Sequence, residues 1–250
     1  MGTAGRLYDR IGTRYRAVRR TEPRIHAHIV GALGAARRVV NVGAGTGNYE
    51  PIGRTVVAVE PSRIMAEQRA PWSAPVVMAV AEAMPFPDGS FDAAVVTFAL
   101  HHWTELPAAL SELARVARRQ VILMSDRQLC QDPWIYEYFP QMLEVPSERR
   151  APSVDDIGDY LRVVRTEVVP IPADCIDGFC GAFWSRPEAL VDPDVRAGSS
   201  SLAQLEPVTA AGDARHLFDD LKSGTWDARH GHLRGLEHFD MGYRLVICGE

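Results

Sequence analysis

No apolar run in this 250-residue chain approaches the roughly 18 residues that a membrane span requires, and the N-terminus has no signal-like apolar stretch. A cytoplasmic location with no membrane partner is therefore expected. Met1-Gly2 opens a myristoylation pattern, but its sixth position is Arg6 where Ser or Thr is needed. Cysteine is scarce and scattered, at 130, 175, 180 and 248, so the reading is of reduced thiols and not of a disulfide framework. Cys175 and Cys180 stand near each other, yet no second Cys or His pair in the same stretch completes a zinc ligand set, and no metal is expected. A basic excess is missing as well. The net charge of -5 argues against nucleic acid as a general partner. There is no internal repeat and no low-complexity segment; Gly198-Ser-Ser-Ser201 marks only a flexible turn.

What the chain does contain is a short apolar strand that runs straight into three glycines at alternate positions, Val39-Val-Asn-Val-Gly-Ala-Gly-Thr-Gly47. Glycines let the main chain turn sharply and let a ligand lie against it. A dinucleotide fingerprint would read G-x-G-x-x-G. Here Asn48 stands where its last glycine would be, and the Gly-Lys-Ser/Thr of a phosphate loop is absent. A second strand, over 55–59, ends in Glu60, an acid suited to accept hydrogen bonds from two ribose hydroxyls. Glycine turn and strand-end acid together point to an adenosine without phosphates.

Three further segments follow in order: Glu60-Pro-Ser-Arg-Ile-Met65, then Ala81-Glu-Ala-Met-Pro-Phe-Pro-Asp-Gly-Ser-Phe-Asp92, then Phe98-Ala-Leu-His-His-Trp103 with Leu110-Ser-Glu-Leu-Ala-Arg-Val116 behind it. With these, residues 38–125 resemble the class I S-adenosylmethionine-dependent methyltransferases, of the small-molecule type similar to the ubiquinone and menaquinone methyltransferases. The resemblance implies S-adenosylmethionine as cofactor and S-adenosylhomocysteine as its product. It places Asn41, Gly43, Ala44, Gly45, Gly47, Glu60, Pro61, Met65, Ala81, Glu82, Phe98 and Ala99 at the cofactor. Three departures stand out. Asn41 replaces the family's usual Asp. Val80 replaces an acid that commonly meets the adenine amino group, leaving that ring to the Ala81 backbone. The Lys-Pro-Gly-Gly turn before strand five is missing, since Arg118-Arg-Gln120 leads directly into Val121-Ile-Leu-Met124.

Alternating strand and helix signals predict an α/β fold, a doubly wound, Rossmann-like seven-stranded sheet with its ligand at the carboxyl ends of the strands. Strands are expected at 38–43, 55–60, 75–79, 92–98, 120–125, 163–170 and 241–248, the last antiparallel by resemblance. Helices are expected at about 62–70, 104–117, 153–162 and 209–223. At this length the chain reads as one methyltransferase domain, residues 1–250. Residues 1–37 form N-terminal lid helices, 38–125 the cofactor-binding half, and 126–250 the substrate-pocket segment and final strands. In residues 5–30, Leu7, Ile11, Tyr15 and Val18 make one apolar stripe while Arg6, Arg10, Arg14, Arg16, Arg19 and Arg20 occupy other faces. A solvated amphipathic helix explains that pattern; by resemblance it is also a lid, with Tyr8, Tyr15 and Arg19 at the cofactor's amino-acid end. Trp134, Tyr136, Tyr138, Phe139, Phe179, Phe183 and Trp184 crowd a proline-broken stretch that begins near Pro133, and supply either pocket wall or plain core.

A methyl group on sulfonium sulfur is already activated, so the enzyme's task is to align a nucleophile, exclude water and remove a proton where one is carried. His101 and His102, just past strand four, and Asp126, at the end of strand five, are the candidate bases. Each also has a structural reading, packing for the histidines and a capping hydrogen bond for the aspartate. The expected activity is methylation of a small organic acceptor, at oxygen or carbon before nitrogen, by a monomer or homodimer. A cyclase or isomerase that keeps the cofactor unconsumed, and a non-catalytic cofactor-binding protein, are the alternatives.

Overall fold

The computed structural model describes residues 7–9, 12, 15–126, 128, 129 and 134–250. Arg6, Arg10, Ile11, Arg14, Cys130 and Pro133 lie outside the described residues. Seven strands make up the main sheet: β1 (Arg38–Val42), β2 (Thr55–Val59), β3 (Val76–Val77), β4 (Phe91–Thr97), β5 (Ala117–Ser125), β6 (Val163–Val168) and β9 (Tyr243–Gly249). Their order across it is β3-β2-β1-β4-β5-β9-β6. β1 through β5 pair in parallel, and β9 runs antiparallel between β5 and β6, as the resemblance implied. The strand order reverses between β1 and β4, which opens a crevice at their carboxyl ends. Outside this sheet, β7 (Ile171–Pro172) and β8 (His238–Phe239) form a small ribbon that the sequence did not signal, two residues per strand being too short for any alternation to show.

The two faces of the sheet carry separate cores. On one, the helix Leu106–Val116 buries Ala109, Leu110, Leu113 and Val116, a 3.6-residue stripe, in a cluster with the strand residues Ala94, Val96 and Ile122. This helix runs into β5 without a connecting loop, because Ala117 is both its C-cap and the first residue of the strand. The missing Lys-Pro-Gly-Gly turn is thus replaced by direct continuation, and β5 begins at Ala117, earlier than the expected 120.

On the other face, the helix Pro23–Leu33 buries Ile25, Ile29, Ala32 and Leu33. Pro23 opens its first turn and the Glu22 carboxylate accepts from Arg24 N–H. Burying three large aliphatic side chains contributes about 1.5–3 kcal/mol each. This helix is therefore part of the sheet's flank, and the expected run of lid helices over 1–37 narrows to the residues before it. Trp134, Tyr138, Phe139 and Trp184 are fully buried in the same core, where Trp134 Nε1 donates to the Trp184 carbonyl at 2.7 Å. For those four rings the plain packing reading holds. Cys175 and Cys248 are buried free thiols, pushed by burial to about 12 and about 11, and Cys180 is half-buried. No helix among the described residues is long and apolar enough to cross a membrane.

Candidate active site

The crevice beyond β1 and β4 is built on backbone that only small residues permit. Gly43 and Gly45 hold φ of 72° and 51°. A Cβ on Gly43 would lie 2.5 Å from that of Ala99, so the glycine lets the turn after β1 touch the turn after β4. Glu60, at the end of β2, closes the crevice from the side: Gly45 N–H donates to Oε2 and Ser62 N–H to Oε1, each at 2.8 Å. Burial raises the Glu60 pKa, and the two backbone hydrogen bonds together with Arg69 offset part of that rise. The carboxylate thereby fixes the glycine turn and remains on the cavity wall.

Three cavities meet here. The first holds about 660 Å³ and is walled by Glu60, Pro61, Met65, Ala81, Glu82 and Ala99, with Tyr8, Val80, His102 and Trp103 around them. The second, about 330 Å³, lies over the glycine turn against Arg19, Asn41, Ala44, Thr46, Asn48 and Tyr49. The third, about 870 Å³, opens on the far side, against His101, Tyr136, Glu148, Phe179 and Tyr243. Tyr15 and Phe98 belong to all three. Phe98 has φ of 53°, a strained conformation for an aromatic residue, and strain of that kind persists where surrounding packing imposes it. Its ring is boxed edge-on by Tyr49 and Tyr243 and tilted against Phe179, with the Arg19 guanidinium 5.7 Å from its centre.

Arg19 is itself held by a residue that sequence reasoning missed. Its Nε and Nη2 donate to the two oxygens of Asp177 at 2.7 and 3.0 Å, and its Nη1 donates to Tyr15 Oη at 2.5 Å. Tyr49 Oη also donates to Asp177 at 2.7 Å. Asp177 is 158 positions away along the chain, and Asp177-Gly178 reads as an ordinary turn. The signal lay in the glycines: a Cβ on Gly178 or Gly198 would come within 2.5 Å of Val18, so both exist to seat the N-terminal segment. Farther along that segment, Asp9 accepts from Ser62 Oγ at 2.7 Å and Tyr8 Oη lies 2.8 Å from His102 Nε2.

Around the second cavity, Thr46 Oγ1, Asn48 Nδ2 and Thr97 Oγ1 are buried without a partner among the described residues. An unmet buried polar group costs roughly 1–3 kcal/mol. Three such groups at one cavity could receive a polar ligand end, such as an amino acid's ammonium and carboxylate, while the first cavity with its strand-end acid could receive a ribose and a flat ring.

The family described as a methyltransferase domain matches residues 40–125. Along almost the whole chain there is a similarity to a protein of Anabaena variabilis ATCC 29413, provisionally described as a methyltransferase from an antibiotic biosynthesis pathway. The two are 31% identical and superpose with a TM-score of 0.85, covering 93% of this chain and 99% of that one. The chain belongs to the class I S-adenosylmethionine-dependent methyltransferase family. Two curated methyltransferases match part of the chain. The uncharacterised methyltransferase YcgJ of Bacillus subtilis is 28% identical over 136 residues, 49% of this chain and 54% of that protein. The demethylmenaquinone methyltransferase of Renibacterium salmoninarum is 37% identical over 99 residues, 36% of this chain and 41% of that protein. The match thus spans about half the length of those curated relatives.

Within this methyltransferase the sequence-derived candidates separate. Tyr8, Tyr15, Arg19, Asn41, Gly43, Ala44, Gly45, Glu60, Pro61, Met65, Ala81, Glu82, Phe98 and Ala99 all line the first or second cavity. Gly47 does not. It packs against Ser73 on the outer side of the turn, and its φ of 94° shapes the loop without reaching the crevice. Asp126 lines none of the three cavities: its oxygens accept from Gln128 and Val154 N–H at 2.9 Å each, so the capping role is the one the fold gives it. The histidines diverge, their rings tilted at 52° to each other with centres 3.9 Å apart. His102 is buried toward the first cavity, and His101 faces the third. Burial, aided by Arg19 and Arg150, pushes His101 down to about 4, and burial next to His101 and Arg150 pushes His102 well below the usual range. Thr46, Asn48, Tyr49, Thr97 and Trp103 are site residues that the motif reading passed over; they sit inside or next to the quoted motifs, masked by the glycines and histidines beside them.

Proposed function

We propose that this methyltransferase methylates a small organic acceptor at oxygen or carbon, with the cofactor in the first and second cavities and the acceptor in the third. The observation that carries the reading is the meeting of the three cavities at Phe98 and Tyr15, with unpartnered polar atoms gathered around the middle one. Bound there, S-adenosylmethionine supplies a methyl group activated on sulfonium sulfur. Glu60 accepts from the ribose hydroxyls, and the Ala81 backbone meets the adenine edge, where Val80 brings no acid. Thr46, Asn48, Thr97 and the remaining N–H groups of Arg19 hold the amino-acid end.

Tyr8, Tyr15 and Phe98 exclude water from the junction, and the cavities on either side align the acceptor atom. His101 is the base. It lines the acceptor cavity, where its ring stands ready to accept the proton of a hydroxyl or carbon acid, although burial makes it a weaker base than a free imidazole. His102 Nε2 is engaged by Tyr8, which makes it a support of the lid. Incubation of the protein with methyl-labelled S-adenosylmethionine and a small-molecule extract, followed by mass spectrometry, tests the proposal. A labelled product and S-adenosylhomocysteine in equal amounts are expected. A transformed acceptor without cofactor consumption would overturn it.

A further inference from the structure

The third cavity has an unbalanced charge. Among the described residues on its wall, Arg19 is the one cation, and Asp177 neutralises it with a two-point ion pair while Tyr15 takes a third nitrogen. His101 is neutral at pH 7. Arg150, exposed, is near enough to depress both histidines but does not line the cavity. Arg149, beside it, is paired with Glu144. That leaves Glu148. Its two oxygens accept from hydroxyls, Oε2 from Tyr136 at 3.1 Å and Oε1 from Ser201, and it has no ion-pair partner among the described residues. Its two donors are neutral hydroxyls, and each oxygen retains a second acceptor position.

We propose that Glu148 is the specificity-determining residue of the acceptor cavity, selecting molecules that present a hydroxyl or ammonium donor away from the reacting atom and rejecting carboxylates and phosphates. The inference rests on the third cavity being the acceptor site. Ser199, Ser200, Tyr136 and Tyr243 line the same cavity with hydroxyls, which offer an anion no compensating charge. An anionic tail would face a like charge across the cavity, a juxtaposition that weakens binding. Phe98, Phe179, Met142 and Met241 line the remainder, suiting an apolar or aromatic body between the donor and the reacting group.

Three probes that differ only in their tails test this on the full chain saturated with S-adenosylhomocysteine: tyramine, tyrosol and 4-hydroxyphenylacetate, with affinities read by ligand-detected NMR titration. Tyramine and tyrosol are expected to bind roughly tenfold or more tightly than the carboxylate. Glu148→Gln removes the charge and keeps the shape, its amide oxygen accepting from one hydroxyl and its amide nitrogen donating to the other, and is expected to erase the gap between tyramine and the carboxylate while tyrosol changes little. Equal binding of the carboxylate by the unmodified protein, binding of none of the three, or an unchanged order in Glu148→Gln accompanied only by a lower melting temperature would each overturn the proposal. The two readings fail separately. Loss of S-adenosylhomocysteine binding with the tail preference intact sinks the cofactor assignment, whereas intact cofactor binding without the preference sinks this one.

Discussion

Glu60 performs two tasks with one carboxylate, bracing the Gly45 and Ser62 backbone and lining the first cavity. Charge-assisted hydrogen bonds contribute about 1.5–3 kcal/mol each, so losing even one to a ribose hydroxyl weakens binding by roughly tenfold or more. Glu60→Ala is expected to show that loss for S-adenosylhomocysteine in calorimetry, and NAD to bind neither protein. At Gly43 the contact with Ala99 is the tighter of the two glycine approaches, so Gly43→Val is expected to abolish cofactor binding outright. For His101→Gln the expectation is turnover lowered by about 10²-fold or more with cofactor affinity nearly unchanged, because only the transition state uses proton removal. The pH-rate profile reads the same group. An unperturbed histidine would put its limb near 6.5, and burial of His101 moves the expected limb to about 4.

At the scale of elements, the N-terminal segment and the loop around Asp177 form one clamp. Arg19 and Arg20 both reach Asp177, while Glu22 accepts from Arg24 and from Ile176 N–H. Removing residues 1–20 therefore does more than uncover the crevice: it leaves Asp177 buried without its guanidinium. Breaking a buried pair by removing one partner costs about 3–5 kcal/mol. The truncated protein is expected to bind S-adenosylhomocysteine more weakly and to unfold at lower urea, and adding Asp177→Asn is expected to restore much of the stability while leaving the binding defect in place. Urea unfolding and calorimetry on the two variants separate the clamp from the lid. The helix Pro23–Leu33 lies beyond the cut and keeps its seat on the sheet.

Across the whole molecule, the same buried groups set the response to acid. His101 titrates at about 4 and His102 well below its usual range in the folded state, against about 6.5 when unfolded. Below pH 6.5 the unfolded chain binds these protons first, so stability is complete above that value and falls as pH drops toward 4. Glu22 acts in a lower window. Burial raises it, but hydrogen bonds from Arg24 and Ile176 outweigh burial and hold it at about 2, so its contribution is present above 4.5 and is lost as pH falls through 2. Urea midpoints from about pH 7 to about pH 3 are expected to decline first between 6.5 and 4, and the double variant His101→Gln, His102→Gln is expected to flatten that first decline and keep the later one.

Strand positions, the glycine turn, the strand-end acid and the chain's family were legible in the sequence because each rests on local spacing: alternation makes a strand, and G-x-G-x-G after a strand makes a nucleoside turn. Eleven of the twelve motif-derived cofactor positions line the crevice for the same reason, since residues that end adjacent parallel strands must meet at one edge. Gly47 fell outside because spacing does not say which way a turn faces. Asp126 and His101 looked alike in sequence, each at a strand's carboxyl end. Only folding showed that backbone N–H groups occupy the first and an acceptor-sized cavity faces the second. Asp177 and Glu148 carried no local mark at all. Their roles come from long-range contacts, over 158 positions to Arg19 and 53 to Ser201, and depend on which charges tertiary packing buries together and which it leaves uncompensated.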